Sequence, residues 1–179
     1  MLVTERLTLR AFRKADAEDF AALHADPLAM RDYGVTFSRD HSDARLDRII
    51  AAWRHDGYGR YAVFLGEHFA GYVGVMHRAS PDHPLGAHDE IGWRLSSRFW
   101  GRGIATEAAS AVLEHTSERL GQTRILAYTA QDNLASQAVM TRLGLIRMPD
   151  LDFAFPYPPY FDTWRGLVWR VPPHFGGME

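Results

Sequence analysis

The most informative segment of the sequence, residues 98–107, reads Arg98-Phe99-Trp100-Gly101-Arg102-Gly103-Ile104-Ala105-Thr106-Glu107. It stands between a predicted strand and the start of a predicted long helix. Two glycines on either side of one arginine permit a tight turn in which several backbone N–H groups point the same way. The N-terminus of the helix adds unpaired N–H donors and a partial positive charge. The segment therefore predicts a cradle for an anion such as phosphate or pyrophosphate.

The chemistry of this segment narrows the possible ligands without selecting one. Arg98 and Arg102 would add charge-assisted contacts to a bound anion. No Gly-Lys-Ser/Thr follows the turn, which excludes a P-loop, and Thr106 replaces the third glycine of a dinucleotide-binding fingerprint. Two alternatives stay open: a nucleotide-binding module that holds ATP in the same cradle, and a glycine-containing loop that only caps a helix.

The composition of the chain limits its domain organisation and the classes of protein to which it can belong. The chain has 179 residues, of which 46% are apolar and 23% charged, and its net charge is −2. These values are typical of one globular domain over residues 1–179, with a core at about 3–171 and a tail at 172–179. No basic surplus favours nucleic acid, and no apolar run is long enough to span a membrane. The absence of cysteine excludes disulfides and thiol nucleophiles. We expect a cytoplasmic protein.

Outward from the cradle, strands and helices alternate. Period-two patterns predict strands at 6–10, 60–65, 69–77, 90–95, 124–129, 145–148 and 164–171. Helical patterns, together with capping residues, predict four helices, at about 16–26, 42–57, 103–120 and 133–143. Ser42 is the predicted N-cap of the second helix, and Gly121 closes the third. Loops are predicted at 79–88 and at the proline-rich 153–161. This order is typical of an α/β (α+β) domain with a mixed sheet. His83, His88 and Asp89 lack the spacing of metal ligands, so we expect no metal site.

The cradle and a second segment resemble one known family. Residues 98–108 are similar to the Gln/Arg-x-x-Gly-x-Gly/Ala loop with which GNAT acetyltransferases bind the pyrophosphate of acyl-CoA. Residues 133–144 resemble that family's Asn-x-x-Ser helix, which ends in Lys/Arg-Leu-Gly. Residues 4–10 and the Asp26-Pro27 pair resemble the branch of ribosomal-protein N-terminal (alanine) acetyltransferases. The resemblance runs in order through about residues 3–171.

The resemblance implies a GNAT-like, mostly antiparallel, splayed sheet flanked by about four helices, with acetyl-CoA as acyl donor and no metal. The pantetheine arm would lie along the strand edge at about 93–96, and the pyrophosphate on backbone N–H groups at 98–105. The residues expected at the cofactor are Trp93, Leu95, Arg98, Phe99, Trp100, Gly101, Arg102, Gly103, Ile104, Ala105, Thr106, Asn133 and Ser136.

The activity implied is direct acetyl transfer to a primary amine, which is a protein N-terminus or a small molecule. By resemblance, Asn133 would bind the cofactor and Ser136 would donate a proton near the sulfur. Ser136 also fits as a helix-start hydroxyl that bonds backbone. Many relatives carry tyrosine where this chain has Met140, which keeps a non-catalytic acyl-CoA sensor as the alternative function.

Glu90 is the candidate base. It is a lone acid at the predicted strand start, where a partly desolvated carboxylate would accept the amine proton through water. An exposed strand-start acid without a role is the competing interpretation.

The acceptor side is less clear in the sequence. Aromatic side chains that could line a pocket, or only pack, are Tyr33, Phe37, Trp93, Phe155, Tyr157 and Tyr160. Asp150 and Asp152 would attract a cationic amine, or would be solvated loop acids. Trp164 is expected to face the core. The chain is expected to be a monomer or a homodimer.

Overall fold

A computed structural model describes residues 1–120, 125–157, 161–173 and 175. The strands are β1 (Leu2–Val3), β2 (Leu7–Ala11), β3 (Arg60–Leu65), β4 (His68–Arg78), β5 (His88–Leu95), β6 (Ile125–Ala130), β7 (Ile146–Arg147), β8 (Phe153–Tyr157) and β9 (Phe161–Arg170). The α-helices are α1 (Ala17–Ala25), α2 (Arg39–Asp56), α3 (Ile104–Leu120) and α4 (Leu134–Arg142). In the described part of the chain, no helix combines the length and apolar character needed to cross a membrane.

The strands form one mixed sheet. Its order is β1-β2-β3-β4-β5-β6-β9-β7, and β8 pairs with β9. Neighbours pair antiparallel except β5 and β6, which run parallel. The hairpin expected between residues 60 and 77 is present as β3 and β4. The predicted fold class is therefore confirmed: a mostly antiparallel α/β (α+β) sheet flanked by four helices among the described residues.

The sheet splays at its one parallel pair. β5 and β6 are paired only at Asp89 with Ile125 and at Glu90 with Leu126. Beyond Glu90 the described parts of the two strands make no further pairs, so β5 has no strand partner on its β6-facing edge from residue 91 to 95. The Leu95 carbonyl accepts the Trp100 Nε1–H at 2.9 Å. An open strand edge presents N–H and C=O groups that an extended ligand can pair with.

The two faces of the sheet are covered by different helices. One buried cluster joins Val63 to Ile104 and Val112 of α3 and to Val139 of α4. The other joins Ala62 to residues of α1 and α2, such as Phe20. Adjacent residues of β3 enter opposite clusters because side chains alternate across a strand. The result is a three-layer arrangement that fixes the N-termini of α3 and α4 on the same side of the sheet.

Two local predictions were wrong. α2 begins at Arg39, and its N-cap is Ser38 rather than Ser42, because the Ser38 Oγ accepts the His41 N–H at 3.2 Å. Residues 153–157 are a strand rather than part of a loop. Pro156 is tolerated there because β8 pairs with β9 alone among the described strands.

β5 begins at His88, within the segment expected to be a loop. No cluster of His, Asp or Glu suited to a metal occurs in the described residues. The predicted helix end at Gly121 and the candidate Tyr160 lie outside the described residues.

His24 is a buried histidine that gives the fold a pH dependence. Its ring lies 4.4 Å from that of Phe20 and close to the Ser42 hydroxyl. Burial, reinforced by the positive charges of Arg45 and Arg94, lowers the pKa of His24 from 6.5 to about 3. Below pH 6.5 the unfolded chain therefore takes up a proton that the folded chain refuses, and the free energy of unfolding falls by up to ~1.4 kcal/mol per pH unit.

We expect His24→Gln to flatten this dependence. Between pH 7 and pH 4.5, the wild-type free energy of unfolding should fall by about 2.5 kcal/mol more than that of the variant. Urea titrations at the two pH values measure the difference. His68→Gln, at an exposed strand end, is the control and should follow the wild type. If the free energy of unfolding of His24→Gln fell between the two pH values as much as that of the wild type, another group would be responsible for the pH dependence.

Candidate active site

The turn before α3 presents free backbone donors. Gly101 and Gly103 have φ values of 72° and 75°, in the left-handed region that residues with a Cβ rarely adopt. The Glu107 N–H donates to the Gly103 carbonyl at 3.0 Å, so the N–H groups at 104–106 have no partner within the helix. Both glycines are exposed, which leaves the turn accessible. The tight turn and free backbone N–H groups expected from the sequence are thus present at a helix N-terminus.

Thr106 adds a second mark of a ligand site. Its hydroxyl oxygen is buried and finds no hydrogen-bond partner among the described groups. A buried hydroxyl without a partner costs free energy that a bound ligand can recover. This unpaired oxygen fits a ligand held at the start of α3.

The N-terminal segment holds the cradle in place. Glu107 accepts hydrogen bonds from the Thr4 hydroxyl at 2.5 Å and from the Arg6 Nε at 2.7 Å. Arg6 also donates from Nη1 to the Arg102 carbonyl at 3.1 Å. Burial would raise the pKa of Glu107, but these hydrogen bonds hold it below its ordinary value. The Thr4-to-Arg6 segment therefore stabilises the turn from behind.

The arginines of the turn point elsewhere. The Arg98 guanidinium lies 4.7 Å from the centre of the Phe99 ring and 3.5 Å from the Phe69 carbonyl. The Arg102 guanidinium lies 5.8 Å from the Phe99 ring. Neither side chain lines the groove at the turn, whereas Arg31 and Arg142, from outside the turn, do. The donors that the turn itself offers are therefore main-chain groups.

A groove runs from this turn along β5 to α4. We call it the α3 groove; its volume is about 520 Å³. The predicted cofactor residues that line it are Trp93, Leu95, Phe99, Trp100, Gly101, Gly103, Ile104, Ala105, Thr106, Asn133 and Ser136. All of the predicted cofactor residues except Arg98 and Arg102 are therefore brought together along one surface. The open edge of β5 forms one wall of this groove.

A second cavity adjoins the groove. This Glu90 cavity has a volume of about 480 Å³. The residues that line both spaces are Asp32, Trp93, Arg94, Asn133 and Ser136. The two spaces consequently meet between β5 and the start of α4, where the sheet is splayed.

Glu90 lies inside β5 rather than at its start, and its side chain is only 11% exposed. It forms an ion pair with Arg78. Burial would raise the pKa of the Glu90 carboxyl, but the charges of Arg78 and Arg60 and the nearby Tyr128 hydroxyl outweigh burial and lower it. The competing interpretation, an exposed acid, is excluded. Glu90 is a carboxylate that stays ionised in the cavity.

The start of α4 stands where the two spaces meet. Asn133 is its N-cap, and its Oδ1 accepts the Ser136 N–H at 3.2 Å. This bond uses the carbonyl side of the amide and leaves its N–H donors for other partners. Met140 is buried and lines the Glu90 cavity.

The predicted acceptor residues divide. Tyr33, Trp93 and Phe155 line the Glu90 cavity, as does Trp164, which was expected in the core. Phe37 instead stacks on His41 at 4.2 Å and lines neither space.

Two predicted acids and one tyrosine of the acceptor side lie elsewhere. Asp152 pairs with Arg147 at 2.5 Å, and neither Asp152 nor Asp150 lines the cavities described. The side chain of Tyr157 is not among the described groups.

Sequence reasoning missed the polar wall of the Glu90 cavity. Its members are Arg45, Arg60, Tyr72, Arg78, Arg94 and Tyr128. The available signal was an arginine at the end of an otherwise apolar strand, with Arg60 at the start of β3 and Arg78 at the end of β4, because arginine is rarely buried without a partner. Burial would raise the pKa of Tyr72, but Arg45, Arg60 and Arg94 lower it to about 8.

Comparison with known proteins agrees with this geometry. Residues 6–146 match the family described as an acetyltransferase (GNAT) domain. The chain is 27% identical over 164 residues to the FsC-acetyl coenzyme A-N(2)-transacetylase of Aspergillus fumigatus, covering 88% of this chain and 70% of that protein. The solved acetyltransferase from Agrobacterium tumefaciens str. C58 is 30% identical, with a TM-score of 0.75 and coverage of 94% and 92%.

A more distant structure shares the fold. The RimL ribosomal L7/L12 alpha-N-protein acetyltransferase, solved in complex with coenzyme A, is 19% identical, with a TM-score of 0.72 and coverage of 94% of each chain. The family match extends over most of the chain and includes the cradle and the start of α4. The chain therefore belongs to the GNAT family and is an acetyltransferase.

Proposed function

We propose that this chain is an acetyl-CoA-dependent N-acetyltransferase that moves the acetyl group directly to a primary amine, without a covalent enzyme intermediate. The acceptor is a protein N-terminus or a small amine. The observation that carries the proposal is the meeting of the α3 groove with the Glu90 cavity at Ser136. One space suits an acyl donor, the other an acceptor, and they join beside an ionised carboxylate.

The α3 groove has the features that an acyl-CoA requires. The main-chain N–H groups at 101–106 would hold the pyrophosphate, since a helix N-terminus favours bound anions. The open edge of β5 at Trp93 and Leu95 would pair with the pantetheine amides as an added strand does. Asn133 would donate to the same arm. When bound, acetyl-CoA supplies an activated thioester, and the chain's residues position the amine against it.

Proton transfer is assigned to two residues. Glu90, ionised by its partners, would accept the proton of the ammonium through water. Ser136 lies at the junction and would donate toward the departing sulfur, because Met140 carries no proton to give. A nucleophilic side chain is not needed, which agrees with a chain that has no cysteine.

Acceptor screening with a thiol-detecting reagent tests the proposal. The panel comprises peptides with varied first residues, amino acids, polyamines and aminoglycosides, each with saturating acetyl-CoA. We expect thiol release well above the amine-free control for at least one class, with an acetylated amine as product. Calorimetric binding of acetyl-CoA without thiol release for any class would contradict the proposal and favour the sensor, for which the methionine at position 140 is the supporting feature.

A further inference from the structure

The Glu90 cavity carries more positive than negative charge. The charged residues in its lining, counting histidine as neutral, are Arg45, Arg60, Arg78, Arg94, Asp32 and Glu90. Arg78 is paired with Glu90, and Arg94 is paired with Asp32 at 2.6 Å. The two carboxylates are thus already engaged by two of the four guanidinium groups. The lining has a surplus of two positive charges.

Arg60 is the most informative of these four arginines. The residue is only 7% exposed, and its carbonyl accepts the Trp53 Nε1–H at 2.8 Å, which fixes its backbone. Its guanidinium lies 5.0 Å from the centre of the Tyr72 ring. Its Nε is buried with no hydrogen-bond partner, and no carboxylate of the described residues comes within 4 Å of it. The charge of Glu90 acts on this guanidinium, but the buried Nε still lacks an acceptor, and an anionic ligand oxygen would supply one.

Arg60 and Glu90 face one point of the cavity. A Cβ placed on Gly92 would lie 3.3 Å from the Glu90 Oε1 and 3.7 Å from the Arg60 Nη2. Arg60 does not line the α3 groove, so its missing partner is not the pyrophosphate of the acyl donor. Arg60 and Glu90 lie side by side, so they suit a ligand that carries an anionic group for Arg60 and, a few bonds away, an amine for Glu90.

We infer that the acceptor is an amine that also bears an anionic oxygen group, a carboxylate or a phosphate, which Arg60 binds. The inference rests on the proposed function and specifies its substrate class. The amine nitrogen forms a bond to the acetyl carbon, the carbon–sulfur bond breaks, and the sulfur leaves with the electron pair. The proton released by the nitrogen passes toward Glu90. Polycationic amines are disfavoured because they meet the surplus positive charge.

Matched acceptor pairs test this assignment. Aspartate is compared with asparagine, O-phosphoserine with serine, and a peptide beginning Ser-Asp with one beginning Ser-Asn, while spermidine serves as the cationic acceptor. Values of kcat/KM are measured for the wild type, Arg60→Met and Arg60→Lys, with melting curves to confirm folding. We expect the wild type to prefer the anionic member of at least one pair by about tenfold or more. Arg60→Met should lose that preference and Arg60→Lys should keep part of it.

A binding measurement makes the test independent of the choice of acceptor. With coenzyme A at saturation to occupy the cradle, succinate and inorganic phosphate should raise the Tm of the wild type more than that of Arg60→Met. The inference would be overturned if succinate and phosphate raised the Tm of the wild type and of Arg60→Met equally, or if the wild type preferred spermidine. It would also be overturned if Arg60→Met lowered kcat/KM equally for both members of each pair. Thiol release with uncharged or cationic amines would then leave the proposed function standing, whereas its absence with every amine would remove that function.

Discussion

Replacing Gly103 by valine should abolish tight binding of acetyl-CoA while the protein stays folded. Gly103 has a φ of 75°, and a β-branched residue there would force the turn into another conformation. The N–H groups that form the cradle would then no longer converge. We expect acetyl-CoA affinity to fall by more than about 100-fold, the loss of two charge-assisted hydrogen bonds. Calorimetric titration measures the affinity.

A second glycine provides the matched control. Gly66, in the turn between β3 and β4, has a φ of 60° and open space where a Cβ would lie, and it lines neither cavity. Gly66→Val imposes similar backbone strain at a remote turn, so it should lower Tm comparably and bind acetyl-CoA as the wild type does. Unchanged affinity in Gly103→Val would refute the assignment of the cradle.

Glu90→Gln should lower the rate of acetyl transfer by more than about tenfold at neutral pH, with little change in acetyl-CoA affinity. Glutamine preserves the size of the side chain but cannot accept a proton. Because Arg78 and Arg60 keep the pKa of Glu90 low, the carboxylate is fully ionised in the wild type at this pH. Steady-state thiol release at saturating acetyl-CoA, together with calorimetric titration, separates the rate from binding.

Asp152→Asn is the control for the loss of an ion pair. Asp152 pairs with Arg147 as Glu90 pairs with Arg78, but it lies outside both cavities. This variant should lose some stability and keep the wild-type rate. A wild-type rate in Glu90→Gln would remove Glu90 from the mechanism and leave the proton to water alone.

The turn before α3 could be predicted from the sequence because its determinants are local. Gly101, Gly103 and the helix start are adjacent in the chain, and the conformations they require follow from backbone sterics. The same holds for the helix predicted at 133–143, which the structure contains as α4 (Leu134–Arg142). The cap of α2 was assigned to Ser42 instead of Ser38, because serine can cap a helix at either position and the burial of Ser42 beside His24 depends on tertiary packing.

The Glu90 cavity could not be predicted because its parts are distant in sequence. Four different strands carry the residues that form it, namely Arg60, Arg78, Glu90 and Tyr128. These residues come together only because β3 pairs with β4, β4 with β5, and β5 with β6. The sequence pattern indicated a strand-start acid at Glu90, since the β4 partner that buries it was not evident. The strand β8 was missed for a similar reason. Pro156 argued for a loop, and whether a strand can contain a proline depends on its position at the edge of the sheet, which only the assembled sheet shows.

The central claim is that main-chain N–H groups of the turn before α3 hold the diphosphate of the acyl donor while the open edge of β5 pairs with its pantetheine arm. A crystal structure obtained with saturating coenzyme A tests this most directly. The account predicts pyrophosphate oxygens within hydrogen-bond distance of the N–H groups at 101–106, and pantetheine amides paired with Trp93 and Leu95. Coenzyme A bound elsewhere, with the turn empty, would contradict it.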